Sequence, residues 1–314
     1  MRVRALRRKE SNLKEVKWVF SCYSDGYEEL FSRIEWVAGD LLDVFSLADA
    51  LEGVSHIYHC AALVSMDASE GAKMILNNVN GTANLVNLAL EKKIRKFCHV
   101  SSVAALGIEK GKEITEETAW NDESNGSAYA ISKYLAENEV WRASQEGLNV
   151  VMVNPTIVLG PGNWNRSSGL IFKAANKGLR WYTSGSMAYV DARDVVKAMM
   201  LLMESKITGE RVIVSAENMS YKNFLEMVYS ALGKAVPNKR TSKLLLALAW
   251  RLDGIRSMLT GSAHIFTQEV ARYARKELRY SNQKIKRLLQ LDFIPIGESI
   301  KETSKHYLLG QKRG

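Results

Sequence analysis

The chain has 314 residues, of which 46% are hydrophobic and 25% charged, with a formal net charge of +9. That length holds one large α/β unit with a smaller attached lobe, and the balance excludes a disordered, fibrous or membrane-embedded chain. Three cysteines (Cys22, Cys60, Cys98) are odd in number, widely spaced and without a CxxC pair. They argue against a disulfide framework or a structural zinc and for a reducing, cytoplasmic setting.

The basic residues are spread out, apart from RVRALRRK at the start and ARKELRYSNQKIKRLL near the end. They read as a surface excess with some cations reserved for phosphates, and no nucleic-acid partner is expected. The start lacks the apolar stretch of a signal peptide, and no run approaches about 20 apolar residues, so no membrane span is expected. The most apolar segment, KLLLALAWRL, is too short to cross a bilayer and reads as a packed or lid helix.

In chain order, VRAL, IEWVAGD, HIYHCAAL, KFCHVSS and NVVMVNP read as strands. Between them, SLADALEGV, NNVNGTANLVNLALEKK and AYAISKYLAENEVWRASQEG read as helices. This alternation predicts a parallel sheet with helices on both faces. After Pro155 the pattern loosens into VLGPGNWNRSSG, a helix, and WYTSGSMAYVDARDVVKAMMLLMES. The tail adds a strand at RVIVS, a helix capped by Ser220, an apolar helix near 242–252 and a last helix near 282–290. Ligands of such sheets bind beyond the carboxyl ends of the strands. Asp40, Ala61, Ala62, Ser102 and Pro155 all fall there.

Three residues carry chemistry: Ser102, Tyr129 and Lys133. Tyr129 and Lys133 lie four apart in a helical segment, one turn apart on one face, with Ile131 and Leu135 on another face to anchor the helix. A free tyrosine titrates near 10 and is a poor base at neutral pH. A lysine one turn away is expected to lower that value, and a serine hydroxyl on the same substrate oxygen would hold it for proton transfer. The set suits alcohol oxidation or carbonyl reduction beside a hydride carrier. Tyrosine four before lysine is common by chance. Here it follows SSxxxxG, with Tyr129 27 residues after Ser102, and precedes NPTIVLGPG.

With these motifs the chain resembles the extended short-chain dehydrogenase/reductases, the NAD-dependent epimerase/dehydratase family, and among them the dihydroflavonol-reductase and 3β-hydroxysteroid-dehydrogenase-like branch. The resemblance implies an α/β, Rossmann-like, doubly wound parallel sheet with a smaller C-terminal lobe. Residues 1–160, with 187–215 returning, would form the nucleotide-binding domain, and 161–186 with 216–314 the substrate lobe. It assigns Ser102, Tyr129 and Lys133 to catalysis, with Lys133 also on the nicotinamide ribose. It places Arg8 on the 2′-phosphate of NADP (NAD remaining possible), Asp40 and Leu41 at the adenine edge, and Ala61 and Ala62 under the cofactor. Asn80 would hold backbone near the site, and Pro155, Thr156 and Val158 would line the nicotinamide pocket. A solvated basic turn for Arg8 and a helix cap for Asp40 are the plain alternatives.

One departure stands out. The family's first strand and glycine-rich turn, which let a pyrophosphate approach a helix N-terminus, have no counterpart here. The only close glycine pair, Gly160 and Gly162, follows the sixth apolar run. A sequence started at an internal methionine is the expected explanation, and loss of cofactor binding the alternative. Three functions compete: a cytoplasmic NADP-dependent reductase or dehydrogenase of a hydrophobic small molecule, a nucleotide-sugar epimerase, and a silent binding protein. A homodimer is a family expectation. No metal site is expected, and His59 reads as structural.

Overall fold

The fold, a computed structural model, describes residues 2–65, 68–121, 126–260 and 274–311. Its strands are β1 (Val3–Arg7), β2 (Ile34–Ala38), β3 (His56–His59), β4 (Lys96–Val100), β5 (Val150–Pro155), β6 (Ile157–Leu159), β7 (Trp181–Tyr182), β8 (Ser186–Asp191), β9 (Glu210–Val214), β10 (Glu217–Ser220) and β11 (Lys239–Arg240). The first six helices are α1 (Leu13–Tyr23), α2 (Tyr27–Ser32), α3 (Val44–Ala50), α4 (Gly71–Ile75), α5 (Gly81–Glu91) and α6 (Ala128–Gln145). The rest are α7 (Gly169–Asn176), α8 (Ala192–Glu204), α9 (Tyr221–Ala231), α10 (Lys243–Thr260), α11 (Gln283–Leu289) and α12 (Ile296–Gln311).

Strands β3, β4, β5 and β9 form an all-parallel sheet in that order. Every residue of β5 is buried, as expected of a strand covered on both faces. On one face Phe97, Val150 and Met152 pack with Val86 and Ala89 of α5 and Val140 of α6. On the other, Cys98, Val151 and Val153 meet Ala198 and Leu202 of α8 and Ile285 of α11. A second sheet, β10-β8-β6, stacks Tyr189 on Phe224 at 3.9 Å and packs against Ile296 and Ile300 of α12.

The expected single sheet is split. Strands β1 and β2 pair in parallel with each other, and among the described residues no ladder joins β1 to β3. A side chain makes the link instead: Arg4 of β1 donates from Nη1 to the carbonyls of Ala50 and Glu52, 2.9 and 2.8 Å away, at the end of α3. Helix α1, capped by Asn12, buries none of its residues fully and leans on the C-terminal elements. Trp18 meets Trp164 edge-on at 5.8 Å, Trp164 meets Tyr307 at 5.1 Å, and the Arg193 guanidinium lies over the Tyr23 ring.

Two further differences from the sequence reading concern helices. The segment 71–91 is broken by a π-helical turn, Leu76–Asn80, between α4 and α5. Helix α10 is packed on one side only, with Leu246 buried and Leu244 83% exposed. Ser220 caps α9 as expected, accepting from the Asn223 amide at 3.1 Å.

Candidate active site

Strand β4 delivers Ser102. Its ladder continues one residue beyond Val100, where the Ser101 amide bonds the Val153 carbonyl at 2.8 Å. Ser102 then leaves the sheet and caps a short 3-10 turn, its Oγ accepting from the Ala104 amide at 3.2 Å. The glycine that closes the motif is required: a Cβ on Gly107 would sit 1.8 Å from the Ala119 carbonyl oxygen. Ser127 caps α6 by accepting from the Ala130 amide at 3.0 Å, which sets Tyr129 in the first turn. Tyr129 lies close enough to Ser102 for the serine hydroxyl to favour its ionised form.

The electrostatics differ from the sequence expectation. Burial pushes the Tyr129 phenol above its ordinary value, and the neighbouring Ser102 hydroxyl offsets this only in part. Lys133 is 2% exposed and donates from Nζ to the Val100 carbonyl at 2.8 Å. Burial lowers the lysine to about 8, against the opposing fields of Glu137 and Cys60. The expected lowering of the phenol by the lysine is therefore corrected. Both groups are desolvated, and burial is the largest influence on each.

Beneath these residues lies a buried polar network that the sequence reading missed. Glu137, one turn beyond Lys133, is 1% exposed. It accepts from Nδ2 of Asn154 at 2.5 Å and pairs with Nη1 of Arg211 at 3.0 Å. Asn154 also donates to the Ser102 carbonyl at 2.9 Å, so β5, α6 and the serine backbone are tied together. Arg211 reaches on to the Glu116 carbonyl at 3.0 Å, and the Glu116 carboxylate accepts from the Ile213 amide at 2.8 Å. The signal for Glu137 was its i+4 spacing from Lys133, on the face carrying the chemistry.

The cofactor-binding candidates fall in different settings. Arg8 is exposed just past β1, its carbonyl closing a turn to Ser11. Asp40 uses Oδ1 to accept from the Leu42 amide at 2.9 Å, so its side chain shapes its own turn. Leu41 packs into the core beside α5, its carbonyl held by Asn84. Ala61 and Ala62 are exposed beyond β3. Pro155 is buried at the end of β5, and the Thr156 hydroxyl faces the Val214 carbonyl at 3.4 Å. Val158 lines a cavity of about 270 Å³ with Gly160, Pro161, Trp164, Arg166 and Ser168.

Asn80 is corrected. It lies exposed on the π turn, and Asn78 does the backbone-holding work. Asn78 is buried, accepts from the Leu63 amide at 2.7 Å, and donates to the Leu63 carbonyl and Ser132 Oγ, each at 2.9 Å. It thereby locks the segment after Ala61 and Ala62 to α6. Its i+4 partner Thr82 donates from Oγ1 to the Asn78 carbonyl at 2.6 Å and bonds His59 Nε2 at 2.9 Å, which makes His59 a buried, neutral structural residue held down to about 3 by burial.

The donor set fits the nicotinamide end of a dinucleotide: Ser102 near Tyr129, a buried lysine and exposed small residues at a strand end. At the phosphate end Arg8 and Lys9 are exposed cations, and the sequence of residues 2–65 carries no glycine-rich turn.

The model of the NAD-dependent epimerase/dehydratase family matches residues 2–215. The chain belongs to this family. This is the family of the NAD(P)-dependent enzymes of the extended short-chain dehydrogenase/reductase type. It is 32% identical over 206 residues to a sterol demethylase protein B of Methylococcus capsulatus, covering 65% of this chain and 63% of that protein, less than two thirds of its length. It is 26% identical over 285 residues to a cinnamoyl-CoA reductase 1 of Petunia hybrida, covering 87% of this chain and 76% of that one. The solved structure of gox2253 superposes with a TM-score of 0.80 at 26% identity, covering 98% of this family member and 91% of that chain.

Proposed function

We propose that the protein is an NADP-dependent reductase or dehydrogenase acting on a ketone or hydroxyl of a hydrophobic small molecule. The observation that carries this reading is the buried Lys133, one helical turn from Tyr129 and bonded to the Val100 carbonyl two residues before Ser102. Val158, Pro161 and Trp164 in the cavity that follows β6 support a hydrophobic substrate. Reductase relatives at modest identity support the direction of the chemistry. Residues 1–160 with 187–215 would be the nucleotide-binding part, and 161–186 with 216–314 the substrate lobe, in a cytoplasmic homodimer.

A bound nicotinamide supplies or accepts the hydride. The chain's own groups do the rest. Ser102 Oγ holds the substrate oxygen, and Tyr129 Oη gives it a proton on reduction or takes one on oxidation. Lys133 orients the nicotinamide ribose and, once re-aimed from the Val100 carbonyl, stabilises the phenolate. Asn154 and Glu137 hold Ser102 and Lys133 in place. Arg8 would take the 2′-phosphate.

Fluorescence titration with NADPH and with NADH tests this reading. Binding with a preference for NADPH that Arg8→Asp reverses is expected, and binding of neither would overturn it. The family also contains epimerases, and net cofactor turnover separates the two activities because an epimerase regenerates its cofactor.

A further inference from the structure

Helix α10 leaves a row of leucines uncovered. Leu244, Leu248 and Leu252, at i, i+4 and i+8, are 83%, 53% and 55% exposed, while Leu246 and Asp253 on the opposite side are buried. Single exposed leucines are ordinary, but a continuous stripe marks a contact surface. The same part of the chain exposes Leu179 and Trp181, and Trp181 carries the Lys239 ammonium 5.5 Å from its ring centroid. Lys239 pairs with Trp181 where β11 joins β7, so this aromatic–cation element adjoins the entry to α10.

The charge is one-sided. Between Glu226 and Asp253 the sequence has Lys234, Lys239, Arg240, Lys243 and Arg251 and no carboxylate. Asp253 itself is buried and paired with Arg256 at 2.9 Å. Arg240 and Arg275 line a cavity of about 280 Å³ with Ser184, Thr241 and Ser242, and neither has an ion-pair partner among the described residues. Ser242 is also the residue whose Oγ accepts from the Leu245 amide in the first turn of α10. Two unpaired guanidiniums and three hydroxyls therefore stand where the leucine stripe begins.

We propose that this face docks on the surface of an anionic lipid bilayer. Leucines would enter the boundary of the acyl region, Trp181 would sit at headgroup level, and Arg240 and Arg275 would hold phosphate headgroups. No described helix is long and apolar enough to cross a membrane, so the contact is a surface one. Other occupants fit less well. A two-fold contact with a second copy would set Arg240, Arg275 and the lysines beside them against their own images. A nucleic acid would satisfy the cations but leave the leucines facing water.

Flotation of the 314-residue protein with vesicles tests this without cofactor or substrate, so its outcome stands apart from the catalytic reading. Vesicles of phosphatidylcholine with phosphatidylglycerol are expected to carry the protein, and phosphatidylcholine alone is not. Leu244→Gln/Leu248→Gln/Leu252→Gln and Arg240→Glu/Arg275→Glu should each weaken binding by about tenfold or more. Leu244→Gln alone changes the most exposed leucine, should keep the unfolding midpoint, and should lose part of the affinity. Absence of binding to anionic vesicles overturns the proposal, as does binding that neither variant weakens. So does a wild-type oligomer that the leucine variant turns into a monomer while vesicles capture neither form.

Discussion

At the level of single residues, Tyr129 and Lys133 show why sequence spacing alone does not give electrostatics. The spacing placed both in the first turns of α6, and the chain-order motif placed Ser102 beside them. What it did not give is the solvent: burial raises the phenol and lowers the lysine to about 8. A consequence follows for stability. The folded state holds the Lys133 proton less firmly than the unfolded chain does, where lysine titrates near 10.5. Between those values the unfolded chain binds more protons, so stability rises with pH through that window, by up to about 3 kcal/mol for this group. The penalty is complete below about pH 8. Tyr221, raised by burial to about 12, pulls the other way at still higher pH. The measurement is therefore urea unfolding of wild type against Lys133→Met, which keeps the same tyrosines. Wild type should gain on the variant from about pH 8 to about pH 10, and a constant difference would refute the buried ammonium. For catalysis, Tyr129→Phe is expected to lower turnover by about 10²–10⁴-fold while leaving NADPH binding near wild type. Full turnover in that variant would remove the tyrosine from the mechanism.

Helix α6 shows the same lesson at the level of an element. Its existence follows from sequence, but the face it buries does not. Ile131 and Leu135 were the expected anchors, yet both are only half-buried, and Ser132, Lys133 and Glu137 are buried beside Ala130, Ala136 and Val140. A helix that carries its polar residues inward cannot be oriented by hydrophobic periodicity. Its partners, Asn154 on β5 and Arg211 on β9, come from distant sequence and so leave no local trace. Removing one member of a buried pair strands the other. Arg211→Met should destabilise the protein by roughly 3–5 kcal/mol, and adding Glu137→Gln should recover much of that loss. Thermal and urea unfolding of the single and double variants would check this, and strictly additive effects would show that the two residues do not act as a pair. Helices α1, α2 and α12 escaped the sequence reading for a plainer reason. Helices α1 and α2 bury no residue fully, and the Lys, Glu and Ser content of α12 hides an apolar side formed by Ile296, Ile300 and Tyr307.

Over the whole molecule, the parallel strands fall into a pair and a four-stranded sheet, and the two should not share one stability. The sheet's inner strands, β4 and β5, are buried nearly throughout, whereas β1 and β2 contain no fully buried residue. The pair is tied to the body through Arg4 and its contacts with α3, and through helix α1 leaning on Trp164. Local opening free energies follow buried apolar contact, so the β1–β2 amides belong to a weaker cooperative unit. Hydrogen–deuterium exchange should show these amides exchanging well before those of Cys98, Val151 and Val153. Arg4→Met, which removes the bonds to Ala50 and Glu52, should speed exchange in β1 and β2 further and leave β4 and β5 unchanged. The proposed site would span both units, because Arg8 and Asp40 lie just past the ends of β1 and β2 while Ser102 and Pro155 lie at the ends of β4 and β5. A dinucleotide bound across them would couple the two. NADPH should therefore protect the β1–β2 amides more than the β4–β5 amides, and protection confined to β4 and β5 would mean that only the nicotinamide half of the site is engaged.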